Sequence, residues 1–210
     1  MDTANLIWIT PDAEKLIAKI ARVSNPQNED NPNAEKLLKY LIKHKHWSPF
    51  EMASMCVEIK TTRAIAPQIL RHRSFSFQEF SQRYAIPTES FPTVIPDLRR
   101  QDTKNRQNSI DDLPSETTEF MKDRIDQHFR ESVDLYHYML DHKVAKECAR
   151  AVLPLNTCTR LYMSGTIRSW LHYVDLRCAN GTQLEHQLIA TNIQEKLFEE
   201  LPTIARAMWD

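Results

Sequence analysis

The sequence predicts a single domain that mixes helices with strands, and three observations carry that prediction. The chain has 210 residues, enough for one sizeable core, with no internal repeat and no compositional break to mark a second domain. Residues 51–60, "EMASMCVEIK", alternate: Ala53, Met55, Val57 and Ile59 take one face and Ser54, Cys56, Glu58 and Lys60 the other. That is the two-residue period of a half-buried strand. From Met121 through Ile125, Phe129, Val133 and Tyr136 to Leu140, apolar residues recur every three or four positions, the period of a helix.

The remaining elements are taken in chain order. "NLIWI" (5–9) reads as a short strand, and Pro11 opens a helix to about Arg22 with Leu16, Ile17 and Ile20 on one face. Asn31-Pro32-Asn33 starts a second helix, with Leu37, Leu38, Leu41 and Ile42 inward. It ends in "KHKHW", cations that suit the negative end of a helix dipole. "RAIAPQILRHR" reads as a further helix, with Pro67 kinking it or marking its first turn. Residues 85–114 hold Pro87, Pro92, Pro96 and Pro114 and a polar run, and predict an irregular excursion long enough to serve as a lid. Ser115 is placed to cap the long helix. Pro154 breaks the helical pattern, and the chain moves into a strand. Residues 166–178 predict a helix with Gly181 just past its end, and 182–200 another, with Leu184, Leu188, Ile193, Leu197 and Phe198 inward.

Composition excludes several classes. Lys plus Arg number 27 and Asp plus Glu 28, a net charge of -1, which fits neither nucleic acid nor an anionic membrane as partner. No run of eighteen apolar residues spans a bilayer. The N-terminal stretch has an early Asp and no basic segment, so no signal peptide is expected and the protein reads as cytoplasmic. Four cysteines (Cys56, Cys148, Cys158, Cys178) lack metal-type spacing and fit reduced thiols; no metal site is expected. There are two glycines, where average usage gives about fifteen. Neither a GxGxxG turn nor a P-loop can be built, so any phosphate must be gripped by side chains.

One stretch concentrates such side chains: "RHRSFSFQEFSQRY", residues 71–84. If "PQILRHR" is helical, Gln68 and Arg71 share a face while Arg73 points elsewhere, so the two arginines reach different anions. If "EFSQR" is extended, Glu79, Ser81 and Arg83 form one row of acceptor, hydroxyl and guanidinium. Guanidinium groups at Arg71 and Arg83 suit forked bonds to phosphate. An RNA-binding platform of arginines and phenylalanines is a competing reading, opposed by the neutral charge.

Arg71-His72-Arg73, seven residues and Ser81 resemble the RHR-x7-S signature of flavin-dependent thymidylate synthases. "KHKHWSPFE" (43–51) is similar to that family's KHxHxTPFEH segment. "ECARAVLPLNTCTRLYMSGTIRSWLHYVDLR" and "TQLEH" are similar to its later segments, the last to AQxEI. The resemblance runs over almost the whole chain in the right order.

The resemblance implies an α+β fold, an antiparallel β-sheet flanked by helices. It implies an enzyme that methylates dUMP to dTMP with carbon from methylenetetrahydrofolate and hydride from FAD reduced by NADPH. The active sites are expected between subunits of a homotetramer. On dUMP it places Gln68, Arg71, Glu79, the segment Phe80-Ser81-Gln82-Arg83, Arg150 and Arg177. On FAD it places Ser48, Arg71, His72, Arg73, Glu79, Thr166, Arg168 and His172. Ser48, Gln78, Thr166 and His172 depart from the family residues at their positions. Arg168 and His172 are four apart and share a helix face; Arg177 lies about half a turn round and serves a different ligand. Arginine stays protonated, so Arg177 acts electrostatically where charge grows on the pyrimidine. Ser81 reads as a binding hydroxyl, and none of the cysteines as nucleophile. A non-catalytic nucleotide- or flavin-binding protein on the same fold is the other reading of these residues.

Overall fold

A computed structural model of the chain describes residues 2–210. Strand β1 (Thr3–Ile9) pairs with β2 (Ser54–Thr62), β2 with β6 (Cys158–Thr166), and β6 with β3 (Ser76–Glu79). All three pairings are antiparallel, in the order β1-β2-β6-β3. The register puts Leu6, Val57, Met163 and Phe77 in one row across the sheet and Asn5, Glu58, Tyr162 and Gln78 in the next. The first row faces the core; the second carries a polar ladder in which the Tyr162 hydroxyl donates to Glu58 at 2.9 Å.

Helices cover the apolar face: α1 (Ala13–Ala21), α2 (Glu35–Lys43), α7 (Ile167–Arg177), α8 (Leu184–Glu200) and α9 (Pro202–Trp209). Their inward residues Ile17, Leu38, Leu171, Ile189, Ile193 and Ile204 are fully buried with Met55, Val57 and Ile59 of β2. Trp170 is buried too, and its indole N–H donates to the Met55 carbonyl at 3.0 Å, so the ring is buried with its polar atom satisfied. Glu14 of α1 accepts from the amides of Thr203 and Ile204, at 2.7 and 2.9 Å, and so caps α9, a helix the periodicity did not reveal.

Several sequence expectations are corrected. Asp12 adopts left-handed backbone (φ 50) and α1 starts only at Ala13, so Pro11 sits in the turn before the helix. Helix α3 is a single turn, Ala66–Ile69, with Pro67 in its first turn where the missing N–H costs nothing. Arg71-His72-Arg73 therefore lie in a turn. Strand β3 ends at Glu79; the Phe80 amide still bonds Arg160, but the Ser81 carbonyl then accepts from Tyr84 and Ala85. The expected row of Glu79, Ser81 and Arg83 is broken by that turn. Helix α5 (Ser115–Asp141) starts with Ser115 inside it and Pro114 at the cap position. On α5 Tyr136 is buried and Ile125, Phe129, Val133 and Leu140 are half-buried along the expected stripe, but Met121 is exposed. On α8 Leu184 and Leu188 are exposed, while His186, Ile189 and Ala190 turn inward.

The 85–114 excursion is irregular, as its prolines predict, with one helical turn, α4 (Pro87–Ser90), and it also holds a two-residue ladder between β4 (Arg100–Gln101) and β5 (Ser109–Ile110). Ties to the body include a bridge of Thr93 to Thr157, a hydrogen bond between Thr88 and His137 at 3.0 Å, and an ion pair of Arg99 with Glu185 at 2.7 Å. A short helix α6 (Lys146–Ala149) and the 3₁₀ turn Arg150–Val152 close the remaining gap before β6.

Candidate active site

The expected site residues fall into three groups. The first gathers on the 71–75 turn. His72 is propped by the edge of Tyr173, ring centroids 4.8 Å apart, and Phe75 by Trp170 at 4.7 Å. Phe75 occupies the space a side chain at residue 165 would need: a Cβ on Gly165 would come within 2.5 Å of its ring. One of the chain's two glycines is thus explained by the seat of this turn.

With the turn so seated, Arg71 and Arg73 stand exposed, and neither has a hydrogen bond or ion pair to another described residue. Arg177, in the last turn of α7, donates from Nε to His72 Nε2 at 2.9 Å. Its terminal nitrogens have no hydrogen bond or ion pair among the described residues. His72 accepts that bond only as a neutral ring. Burial first, and the Arg177 charge second, push its pKa down to about 4. Gln68 lies beside this pair. Its amide donates to Gln183 at 2.7 Å, and its carbonyl lies 3.4 Å from His186 Nδ1.

The second group lies on the other side of α7. The Thr166 hydroxyl accepts from the Ser169 amide and so caps the helix. Arg168 pairs with Glu51, and His172 meets Trp47 edge-on at 4.9 Å. Ser48 opens the turn Ser48–Glu51 beside them. Arg168 and His172 do share a face, and Arg177 points away from it, as their spacing predicts. The Ser169 hydroxyl reaches the Ser74 carbonyl at 3.5 Å, which ties this group to the first.

The third group stands at the far end of β3. Glu79 accepts from Arg63 and, at 3.0 Å, from the Thr159 hydroxyl. Ser81 accepts from the Arg83 amide, and the Arg83 guanidinium pairs with Glu147 at 3.0 Å. Phe80 packs edge-on against Phe91 at 4.9 Å, Gln82 is buried, and Arg150 is half-buried one turn beyond Glu147. Among the described residues no hydrogen bond, ion pair or ring contact joins this group to the first. The residues expected on one nucleotide are split along one chain.

Sequence reasoning missed Tyr173, Gln183, His186, Arg63 and the Arg99–Glu185 pair. The fifth residue of "TQLEH" was a usable signal, since a His stands where the family pattern has Ile. Among the described residues no three His, Cys, Asp or Glu side chains cluster as a metal site, and no helix is long and apolar enough to cross a membrane.

Comparison with known proteins gives the same direction from three sides. The model of the family "Thymidylate synthase complementing protein" matches residues 5–203. The chain is 52% identical over 197 residues to a "Probable flavin-dependent thymidylate synthase" of Paramecium bursaria Chlorella virus 1, covering 93% of this chain and 90% of that one. It is 52% identical over 195 residues to the flavin-dependent thymidylate synthase of Synechocystis sp., covering 93% and 89%. Among solved structures, a UMP/dUMP methylase PolB from Streptomyces cacaoi bound with 5-Br dUMP superposes with a TM-score of 0.84 at 23% identity, over 99% of this chain and 94% of that one. At that identity the likeness shows the fold, an α+β domain with an antiparallel sheet. The family model and the relatives define an enzyme of the methyltransferase class. The chain belongs to the flavin-dependent thymidylate synthase family.

Proposed function

We propose that this chain converts dUMP to dTMP by reductive methylation, taking carbon from methylenetetrahydrofolate and hydride from FAD reduced by NADPH, without a cysteine nucleophile. The observation that carries this reading is the bare pair Arg71 and Arg73, presented on a braced turn beside the half-buried Arg177–His72 pair. Two exposed guanidinium groups with no hydrogen bond or ion pair among the described residues suit phosphorylated ligands.

The residues present fit FAD. Ser48, Arg71, His72, Arg73, Glu79, Thr166, Arg168 and His172 would hold it, with the guanidinium groups as forked donors to its phosphates. When bound, the flavin supplies the hydride chemistry. For dUMP we assign Gln68, Arg71 and Arg177 from the first group and Glu79, Phe80, Ser81, Gln82, Arg83 and Arg150 from the third. Their separation within one chain supports sites completed between copies, in a homotetramer. The exposed apolar residues Leu176, Leu184 and Leu188 near the first group support the same reading.

Arg177 binds and polarises. Fixed through Nε and half-buried, it offers its remaining N–H groups to the negative charge that grows on the pyrimidine. Ser81 binds rather than attacks, because Glu79, the only acid beside it in sequence, is engaged by Arg63 and Thr159 and is no base for it. The cysteines suit no nucleophilic role. Burial raises the Cys56 and Cys178 thiols and pushes Cys158 up to about 11, whereas attack requires thiolate. Cys148 sits outside the signature.

The test is one assay of dTMP formation with all four small molecules and with each omitted, in wild type, in a variant with its four cysteines replaced by Ala, and in Arg177→Ala. Wild type and the cysteine-free variant are expected to turn over only with the full set. Arg177→Ala is expected to lose turnover by a factor of at least about 100 while keeping its thermal midpoint. FAD and dUMP both bound with no dTMP formed defeats the proposal.

A further inference from the structure

His186 is a fully buried imidazole in the first turn of α8, and both its ring nitrogens face polar atoms. Nε2 lies 3.0 Å from the Tyr173 hydroxyl and Nδ1 lies 3.4 Å from Gln68 Oε1. Burial, with Arg177 and His72 nearby, holds its pKa down at about 3, so the ring is neutral and carries one proton. Burial also raises the Tyr173 phenol, which stays protonated. Gln68 Oε1 accepts and cannot donate. The one ring proton therefore sits on Nδ1, directed at Gln68, while Nε2 accepts from Tyr173.

That assignment fixes what Gln68 can do. Its Oε1 is drawn toward His186, so its amide nitrogen turns the other way and donates one proton to Gln183 Oε1 at 2.7 Å. The second amide proton is left pointing out of the network. Beyond Gln183 lies the Glu185 carboxylate. Burial alone would raise its pKa, but hydrogen bonds from Arg99, its own backbone and Gln183 leave it lowered. The donors run in one direction, from Tyr173 through His186 and Gln68 to Gln183, toward a fixed negative charge.

We propose that His186 is a positioning residue for substrate: backed by Tyr173, it locks the Gln68 carboxamide in the flip that offers an N–H, not a carbonyl, to an acceptor oxygen of dUMP. This rests on Gln68 holding dUMP, as assigned above. A free Gln side chain samples both flips with nearly equal shape. A buried donor aimed at Oε1 removes one of them, and the site then favours a ligand that accepts at that point.

The test uses FAD-loaded protein and calorimetric titration with dUMP, with kcat, KM, FAD stoichiometry and thermal midpoint as companions. His186→Asn places an amide N–H near the Nδ1 position, facing Gln68. His186→Gln places its amide near Nε2, facing Tyr173, and leaves Gln68 without a donor. His186→Leu supplies neither. Positioning predicts that Leu and Gln each weaken dUMP binding about tenfold. The loss appears in KM more than in kcat, and Asn stays within about threefold of wild type. A purely structural role predicts equal losses in Asn and Gln, tracking the thermal midpoint; that result, or an unchanged affinity in Leu, overturns the proposal. Should Leu fail to take up FAD, Tyr173→Phe substitutes for it: it frees Nε2, lets the proton leave Nδ1, and is expected to weaken dUMP about threefold. Gln68→Ala separates the two readings. If it leaves dUMP affinity unchanged, the assignment of Gln68 to substrate has failed; if it weakens dUMP while His186→Leu does not, the positioning role alone has failed.

Discussion

The two turns that bracket β3 carry the same kinds of residue and are held in opposite ways. The 71–75 turn is seated on buried rings: His72 on Tyr173, and Phe75 on Trp170 and over Gly165. It leaves Arg71 and Arg73 bare. Among the described residues no ring contact seats the 81–84 turn, although Gln82 is buried there. Its Arg83 is tied to Glu147 through side chains 61% and 54% exposed, and Lys146 donates to the Tyr84 carbonyl at 2.9 Å from the same short helix. A guanidinium can thus be made ready for an anion from beneath, by packing, with its donors unspent. One held by a carboxylate must exchange that partner before it takes a ligand.

The largest expected effect separates these cases directly. Arg71→Ala removes a preformed fork of charge-assisted bonds, each contributing roughly 1.5–3 kcal/mol, and should weaken FAD and dUMP binding about 100-fold. Arg83→Ala should cost about tenfold for dUMP, since part of the gain on binding is offset by the lost Glu147 pair. Titrations of both variants check the order, and an Arg83→Ala loss equal to that of Arg71→Ala breaks the comparison.

Next comes the floor of the first turn. Gly165→Ala puts a methyl 2.5 Å from the Phe75 ring, which Trp170 and Tyr173 hem in at 4.7 and 6.0 Å. Overpacking of this kind costs about 1–3 kcal/mol. In a chain of this size that lowers the thermal midpoint by roughly 2–12 °C. FAD uptake should fall with it, because Arg71 and Arg73 ride on the displaced turn. A variant with normal midpoint and normal FAD content shows that the seat is not what presents the arginines.

The same contrast decides how much the sequence reveals. The strand of residues 51–60, the helix from 166 and the signature arginines were legible because each depends on local period and residue type. The cover of α5 was not. Of its expected stripe Tyr136 is buried and Ile125, Phe129, Val133 and Leu140 are half-buried, but Met121 is exposed, and outside the stripe Phe120, Leu135 and Tyr138 lie 67, 46 and 61% exposed. A regular apolar spacing says that a helix forms, and says nothing of whether its cover lies in the same chain. On α8 the phase was misjudged for a related reason. Leu184 and Leu188 look like core, yet it is His186 that turns inward, because Tyr173 and Gln68 wait there to satisfy it. The partners of a buried polar residue lie more than a hundred positions away, at Gln68, or across a turn, at Tyr173, and no local pattern encodes them.

Acid separates the two turns more gently. His72 and His186 have folded pKa values of about 4 and about 3, below the usual 6.5. For a depressed histidine, the unfolded chain takes up the proton first. Stability is therefore full above pH 6.5 and is lost as pH falls toward 4, with a slope of up to about 1.4 kcal/mol per pH unit for each ring. Urea unfolding at pH 7, 6 and 5 should show that decline, and His186→Leu should roughly halve its slope. A slope unchanged in that variant means the buried rings do not carry it.

The smallest effect tests the other turn. Glu147→Gln keeps the shape of the side chain and removes its charge. An exposed ion pair contributes about 0–1 kcal/mol, so the thermal midpoint should barely move. Arg83, released from competition, should then bind dUMP about two- to threefold more tightly. Salt provides the control. Raising ionic strength to about 1 M shrinks the screening length to about 3 Å and weakens the exposed Arg83–Glu147 pair before it reaches groups that are partly buried. The advantage of Glu147→Gln over wild type should therefore shrink as salt rises. If Glu147→Gln instead loses dUMP affinity, the pair is holding Arg83 in its binding position, and the 81–84 turn is preformed after all, by charge where the 71–75 turn uses packing.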